Sequence, residues 1–127
     1  MRKTNNCLSP SIIASDYSRL GETLLMLDDE GVPYAHIDVM DGMFVPNITV
    51  GWELIADIRN SFEGVFDAHL MINEPDRYVE DFARAGCDII TVHAESATHL
   101  DRTIDHIKSM DVMAGVALNP ADRKSVV

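Results

Sequence analysis

Apolar and polar residues along this chain fall into short blocks that switch between two periods. Residues 34–40, Tyr-Ala-His-Ile-Asp-Val-Met, alternate strictly, and 66–71, Phe-Asp-Ala-His-Leu-Met, alternate again. A period of two marks a strand whose successive side chains point to opposite faces. Residues 87–93 form an apolar run broken only by Asp88, as expected of a strand covered on both faces, and 112–118 read as another strand. The run 7–13, interrupted by Ser9, Pro10 and Ser11, reads as a first strand.

Between these stretches the apolar positions lie three and four apart. Asp16 is placed to cap a helix with Tyr17, Leu20, Leu24 and Leu27 on one side, and Gly31 ends it. Trp52, Leu54, Ile55 and Ile58 predict a second helix. Pro75 suits the first turn of a third, with Tyr78, Val79, Phe82 and Ala83 buried and Gly86 as the stop. Thr98 and Asp101 have the spacing of a capping box before a fourth helix, whose apolar side is Leu100, Ile104 and Ile107.

The predicted order is βαβαβαβαβ with crossovers of helix length, which means a parallel sheet covered by helices. The polar candidates sit in or at the ends of strands, where a (β/α)8 barrel builds its site. An open doubly wound sheet would carry a glycine-rich first turn, and none is present. The barrel is the expected architecture.

Composition narrows this further. A chain of 127 residues is at most one domain, and 46% hydrophobic with 24% charged residues describes a globular one. A net charge of −11 argues against nucleic acid and anionic membranes as partners, although backbone amides can still bind a phosphorylated substrate. No apolar run reaches the length of a membrane span, and no signal run follows the basic start, so a cytoplasmic protein is expected. Cys7 and Cys87 read as reduced, buried strand residues. Asp28, Asp29 and Glu30 read as an exposed helix end.

The chemistry concentrates on two strands. His36, Asp38 and Met40 share one face, with Ile37 and Val39 on the other. An imidazole and a carboxylate on an otherwise apolar strand are costly unless paired or bound to something. His69 ends the next alternating strand, with Met71 two residues on. Two strand histidines and a carboxylate indicate metal chemistry, acid–base chemistry, or both. His93, which opens a His-Ala-Glu block, fits a structural role, and His99 and His106 fall on a solvated helix surface.

SPSIIASD, HIDVMDGMFVPNITVG, DAHLMI, ITVHAE and GVALNPA together resemble the ribulose-phosphate 3-epimerase family, from Leu8 to about Ala121. The resemblance implies a (β/α)8 barrel that interconverts ribulose 5-phosphate and xylulose 5-phosphate with one divalent cation: zinc, iron, manganese or cobalt. It also implies His36, Asp38 and His69 as metal ligands and Asp38 as one of two acid/base groups. By the same resemblance, Ser9 and His69 are substrate contacts, and Met40 and Met71 line the site. Removing a proton beside a ketone needs the developing enediolate charge stabilised, which a cation supplies, and thioethers offer a polarizable wall without competing protons. A hexulose version acting on allulose 6-phosphate shares most of these motifs.

The family pattern stops after the predicted fifth strand. An NPGFGGQ-like loop, an Asp-Gly-Gly and a phosphate loop are absent, and residues 122–127 leave the pattern. The sequence therefore predicts the N-terminal portion of a TIM barrel, one incomplete domain over 1–127 with a non-native tail at 122–127. A catalytically inactive half-barrel is the alternative to an active sugar-phosphate enzyme, and the full-length protein is expected as a possible homo-oligomer.

Overall fold

A computed structural model describes residues 6–120. Four parallel strands, β1 (Tyr34–Met40), β2 (Val65–Met71), β3 (Ile89–His93) and β4 (Met113–Ala117), pair in sequence order. Helices α1 (Leu20–Asp29), α2 (Trp52–Ile58), α3 (Val79–Ala85) and α4 (Leu100–Ser109) alternate with them. Each crossover is long enough for a helix, so each strand returns parallel to the last.

The alternation in β1 and β2 sorts their side chains as the sequence predicts. Ala35, Ile37, Phe66, Ala68 and Leu70 are fully buried, and Leu24, Ile55, Phe82 and Ile107 from the helices join the same core. The opposite face, with His36, Asp38, Asp67 and His69, is half-buried. In β3 only Ile90, Val92 and His93 are buried, and in β4 Met113 and Val116 are exposed, so neither strand is covered on both faces.

Local signals explain the boundaries. The Asp16 carboxylate accepts the Ser18 N–H at 3.0 Å and caps a 3-10 turn, Tyr17–Arg19, that feeds α1. Gly31 and Gly86, with φ of +70° and +109°, terminate α1 and α3 in the left-handed region. Pro75 opens a separate 3-10 turn, Pro75–Arg77, and α3 begins only at Val79.

Other sequence expectations need correction. The predicted first strand at 7–13 forms no ladder: Ile12–Ala14 winds into a 3-10 turn. Its contact with the sheet is one parallel bridge between Ser11 and His36, with the His36 N–H donating to the Pro10 carbonyl at 2.8 Å. Pro10 itself has no N–H to extend the pairing. Cys7 accordingly is exposed, whereas Cys87 is buried and its thiol is pushed up to about 12 by that burial. Finally, Thr98 and Asp101 make no capping box. His99 occupies the cap position, and the Thr103 hydroxyl donates to its carbonyl at 3.2 Å, leaving Thr103 buried on the inner side of α4.

His106 is only partly solvated, with Nδ1 3.2 Å from Asp76 Oδ1. The predicted tail, 122–127, lies outside the described residues. Among the described residues no helix is long and apolar enough to cross a membrane.

Candidate metal centre

Strand register builds the centre. β1 and β2 pair so that His36 faces Asp67, Asp38 faces His69 and Met40 faces Met71. The period of two keeps all six on the half-buried face, and Thr91 of β3 lies across from His69. Asp38 Oδ1 is 2.8 Å from His36 Nε2 and 3.2 Å from His69 Nδ1. One donor atom from each of His36, Asp38 and His69 lies within 4.8 Å of the other two. One cation with bonds of about 2 Å can draw such donors together through small side-chain rotations. Two imidazoles and a carboxylate fit a borderline divalent metal.

The electrostatics differ between the two imidazoles. His36 lies between two carboxylates, with Nδ1 3.0 Å from Asp67 Oδ2. Burial works against its charge, but Asp67 and Asp38 outweigh burial and raise its pKa. In the protonated ring both nitrogens donate, Nδ1 to Asp67 and Nε2 to Asp38. His69 shifts the other way: burial first, then the nearby His93 ring, lower its pKa against the pull of Asp38. The shift favours the neutral imidazole, the form that ligates metal.

The surrounding loops hold this arrangement. Thr49 Oγ1 donates to the Asp38 carbonyl at 2.7 Å and accepts the Met40 N–H at 3.0 Å, pinning the loop after β1 to the strand. Asp41 Oδ1 accepts the N–H groups of Met43 and Phe44, while Oδ2 accepts that of Asn73 across the site. Burial opposes its ionisation, yet these amides hold the Asp41 carboxyl below the usual range.

Of the residues singled out from sequence, His36, Asp38 and His69 come together, with Met40 and Met71 next along the same strand faces. Ser9 does not join them in the described contacts; it is exposed. Ser11, two residues on, reaches the cluster instead, its hydroxyl donating to Asp38 Oδ2 at 3.4 Å. Sequence reasoning passed over Ser11, Asp67 and His93. Alternation alone could have found Asp67, two residues before His69 on the same face. His93 Nε2 approaches His69 Nε2 at 2.7 Å, and their rings stack with centroids 4.8 Å apart.

The model of the ribulose-phosphate 3 epimerase family matches residues 7–127. The chain belongs to that family. It is 49% identical to the ribulose-phosphate 3-epimerase of Synechocystis sp. over 119 residues, 92% of this chain and 52% of the relative. It is 50% identical to that of Bacillus subtilis over 113 residues, 89% of this chain and 52% of the relative. The Escherichia coli epimerase is 43% identical over 115 residues. The chain thus spans about half the length of the relatives it matches. Among solved structures, phosphonopyruvate hydrolase in complex with oxalate and Mg++ superposes with a TM-score of 0.56 at 14% identity, covering 92% of this chain and 46% of that one. That likeness concerns the fold alone: the four parallel strands and their helices superpose on about half of a TIM-barrel chain. The centre lies along the half-buried face of β1 and β2, with Asp38 and His69 in their C-terminal halves, the side on which barrels place their chemistry.

Proposed function

We propose that this chain carries the metal-binding half of a ribulose-phosphate 3-epimerase site, in which His36, Asp38 and His69 hold one divalent cation beside a ketose phosphate. The observation that carries the reading is the convergence of His36 Nε2, Asp38 Oδ1 and His69 Nδ1 on one point of the sheet face. The cation is zinc, iron, manganese or cobalt; when bound, it would stabilise negative charge developing on the substrate's oxygens.

The chain's own residues have separate tasks. Asp38 sits within the donor set, where it takes the proton from the carbon next to the ketone on one face in one direction of the reaction and delivers a proton to that same face in the reverse direction. Ser11, hydrogen-bonded to its other oxygen, fixes the plane of that carboxylate. Asp67 orients His36 through Nδ1. Met40 and Met71 flank the cluster with polarizable side chains that neither donate nor accept protons strongly. Inversion needs a second acid/base group on the opposite face, and among the described residues Asp38 is the carboxylate in the donor set. Ser9, exposed, contacts substrate in this reading only if the segment before Ser11 closes over it.

Two free thiols suit a reducing compartment, and a cytoplasmic setting belongs to the same reading. Substrate is a sugar phosphate, with no nucleic acid or membrane partner, and the net charge of −11 supports that. Association into a homo-oligomer completes the reading, supported by the exposed Met113 and Val116 on β4.

The test is turnover. Metal-loaded protein is assayed with ribulose 5-phosphate and, separately, allulose 6-phosphate. Exchange of the C3 proton with solvent on ribulose 5-phosphate supports the reading. Exchange on allulose 6-phosphate alone reassigns the substrate, and a cation that binds without exchange on either sugar rejects catalysis by this chain.

A further inference from the structure

His93 and Glu95 lie just behind the donor cluster, and the family reading uses neither. The His93 ring is buried, with the Phe44 ring against it at a centroid distance of 4.9 Å. Its Nδ1 and Glu95 Oε2 are buried atoms without a hydrogen bond, 3.6 Å apart. Glu95 Oε1 accepts the backbone N–H of Asn119, which fixes the carboxylate behind the imidazole.

A 2.7 Å approach between two Nε2 atoms requires a proton on one and a lone pair on the other. In neutral rings two arrangements satisfy it. With the proton on His93 Nε2, His93 Nδ1 turns a lone pair toward the Glu95 carboxylate, and His69 puts its own proton toward Asp38. With the proton on His69 Nε2, His93 Nδ1–H faces Glu95 Oε2, and His69 Nδ1 turns a lone pair toward the point shared with Asp38 and His36. The second arrangement answers both buried orphan atoms and frees the ligating nitrogen.

We propose that Glu95, acting through His93, is a positioning residue that holds the His69 proton on Nε2 and so presents Nδ1 to a cation shared with His36 and Asp38. The inference rests on reading that cluster as a cation site. Both imidazoles then have an outer partner, Asp67 directly for His36 and Glu95 by way of His93 for His69. Outer partners of this kind are worth about 10–100-fold in metal affinity.

The experiment measures Zn²⁺ affinity calorimetrically and the histidine tautomers by long-range ¹H–¹⁵N NMR of the zinc-loaded chain. The wild-type chain should show His69 protonated at Nε2 and His93 at Nδ1. Glu95→Leu and His93→Phe should each weaken zinc about 10–100-fold, while Glu95→Gln, whose carbonyl oxygen still accepts a hydrogen bond from His93 Nδ1–H, stays within a few-fold. Because Glu95 also receives the Asn119 N–H, the double variant His93→Phe/Glu95→Leu separates the roles: it should bind no more weakly than His93→Phe alone. Should Glu95→Leu fail to fold, His93→Phe and His93→Gln decide, with affinity recovering in the second.

A wild-type chain that takes up no zinc sinks the cation reading itself. Zinc binding with His69 protonated at Nδ1, or undiminished in His93→Phe, overturns the relay and leaves the cation reading standing.

Discussion

The two ends of the sheet handle polar groups in opposite ways. At the N-terminal end, the Arg59 guanidinium lies 4.0 Å over the Phe66 ring. Its Nη2 donates to the carbonyls of Phe62 and Gly64 at 2.9 and 2.7 Å. Asp88 receives the Phe66 N–H at 2.9 Å and lies 3.4 Å from Arg59 Nη1. Donors and acceptors answer one another, and the assembly closes the bottom of the sheet.

At the C-terminal end, His36 is shared by two carboxylates, Asp38 by two imidazoles and a serine, and His93 and Glu95 keep orphan atoms. Groups that stabilise a fold would not be gathered with their demands unmet. Polar residues at the first end complete the structure, and those at the second make up the proposed cation site.

Substitutions that cross this divide test it. Phe66→Ala should have the largest effect on stability, about 3–5 kcal/mol, because it empties a fully buried site and removes the ring beneath Arg59. Denaturant unfolding checks it, and the zinc affinity of the folded fraction should stay as it was. Asp38→Ala should have the largest effect on the centre, lowering zinc affinity by more than the roughly 100-fold an outer partner supplies, with cooperative unfolding kept. Arg59→Met should cost about 1–3 kcal/mol, since two carbonyls lose their donor, and leave metal binding unchanged. If Arg59→Met weakened zinc as strongly as Asp38→Ala, the two ends would not be separate in function.

The pH dependence gives a subtler contrast. In the metal-free chain the His36 pKa is raised above its ordinary 6.5, so its stabilising contribution is present below 6.5 and lost as pH rises through the folded value. His69 is lowered, so it favours the folded chain above 6.5 and loses that advantage as pH falls through 6.5 toward its folded value. Asp67→Asn should therefore flatten the loss of stability just above 6.5 and leave the acid side unchanged, as urea midpoints across this range would show. Zinc must also displace the His36 proton, so its binding should weaken as pH falls. The smallest effect concerns thiols. One cysteine per native chain, Cys7, should react with a maleimide, and Cys87 only after unfolding.

Much of this was legible in the sequence, and the reasons are specific. The strict alternation in β1 and β2 is enough by itself to assign His36, Asp38 and His69 to their strand faces. Gly31 and Gly86 marked the helix ends because glycine tolerates the left-handed angles there, whereas Pro75 marked the 3-10 turn before α3. The first strand misled because a run of apolar residues says nothing of how far pairing extends, and Pro10 with the turn at Ile12 cuts it to one bridge. For the same reason Ser11 could not be singled out, since it is the one-bridge pairing to His36 that brings its hydroxyl to Asp38. His93 was invisible as a partner of His69 because the contact depends on the meeting of β2 and β3 side chains, not on either strand alone.

The most direct measurement is a titration of the metal-free chain with Co²⁺, followed by its visible absorption, for the wild type and for Asp38→Ala. If His36, Asp38 and His69 share one ion, the wild type should saturate at about one Co²⁺ per chain with d–d bands of mixed nitrogen and oxygen ligation, and the variant should show none. Identical spectra from the two proteins, or no bands from the wild type, would contradict a cation held at the C-terminal end of β1 and β2.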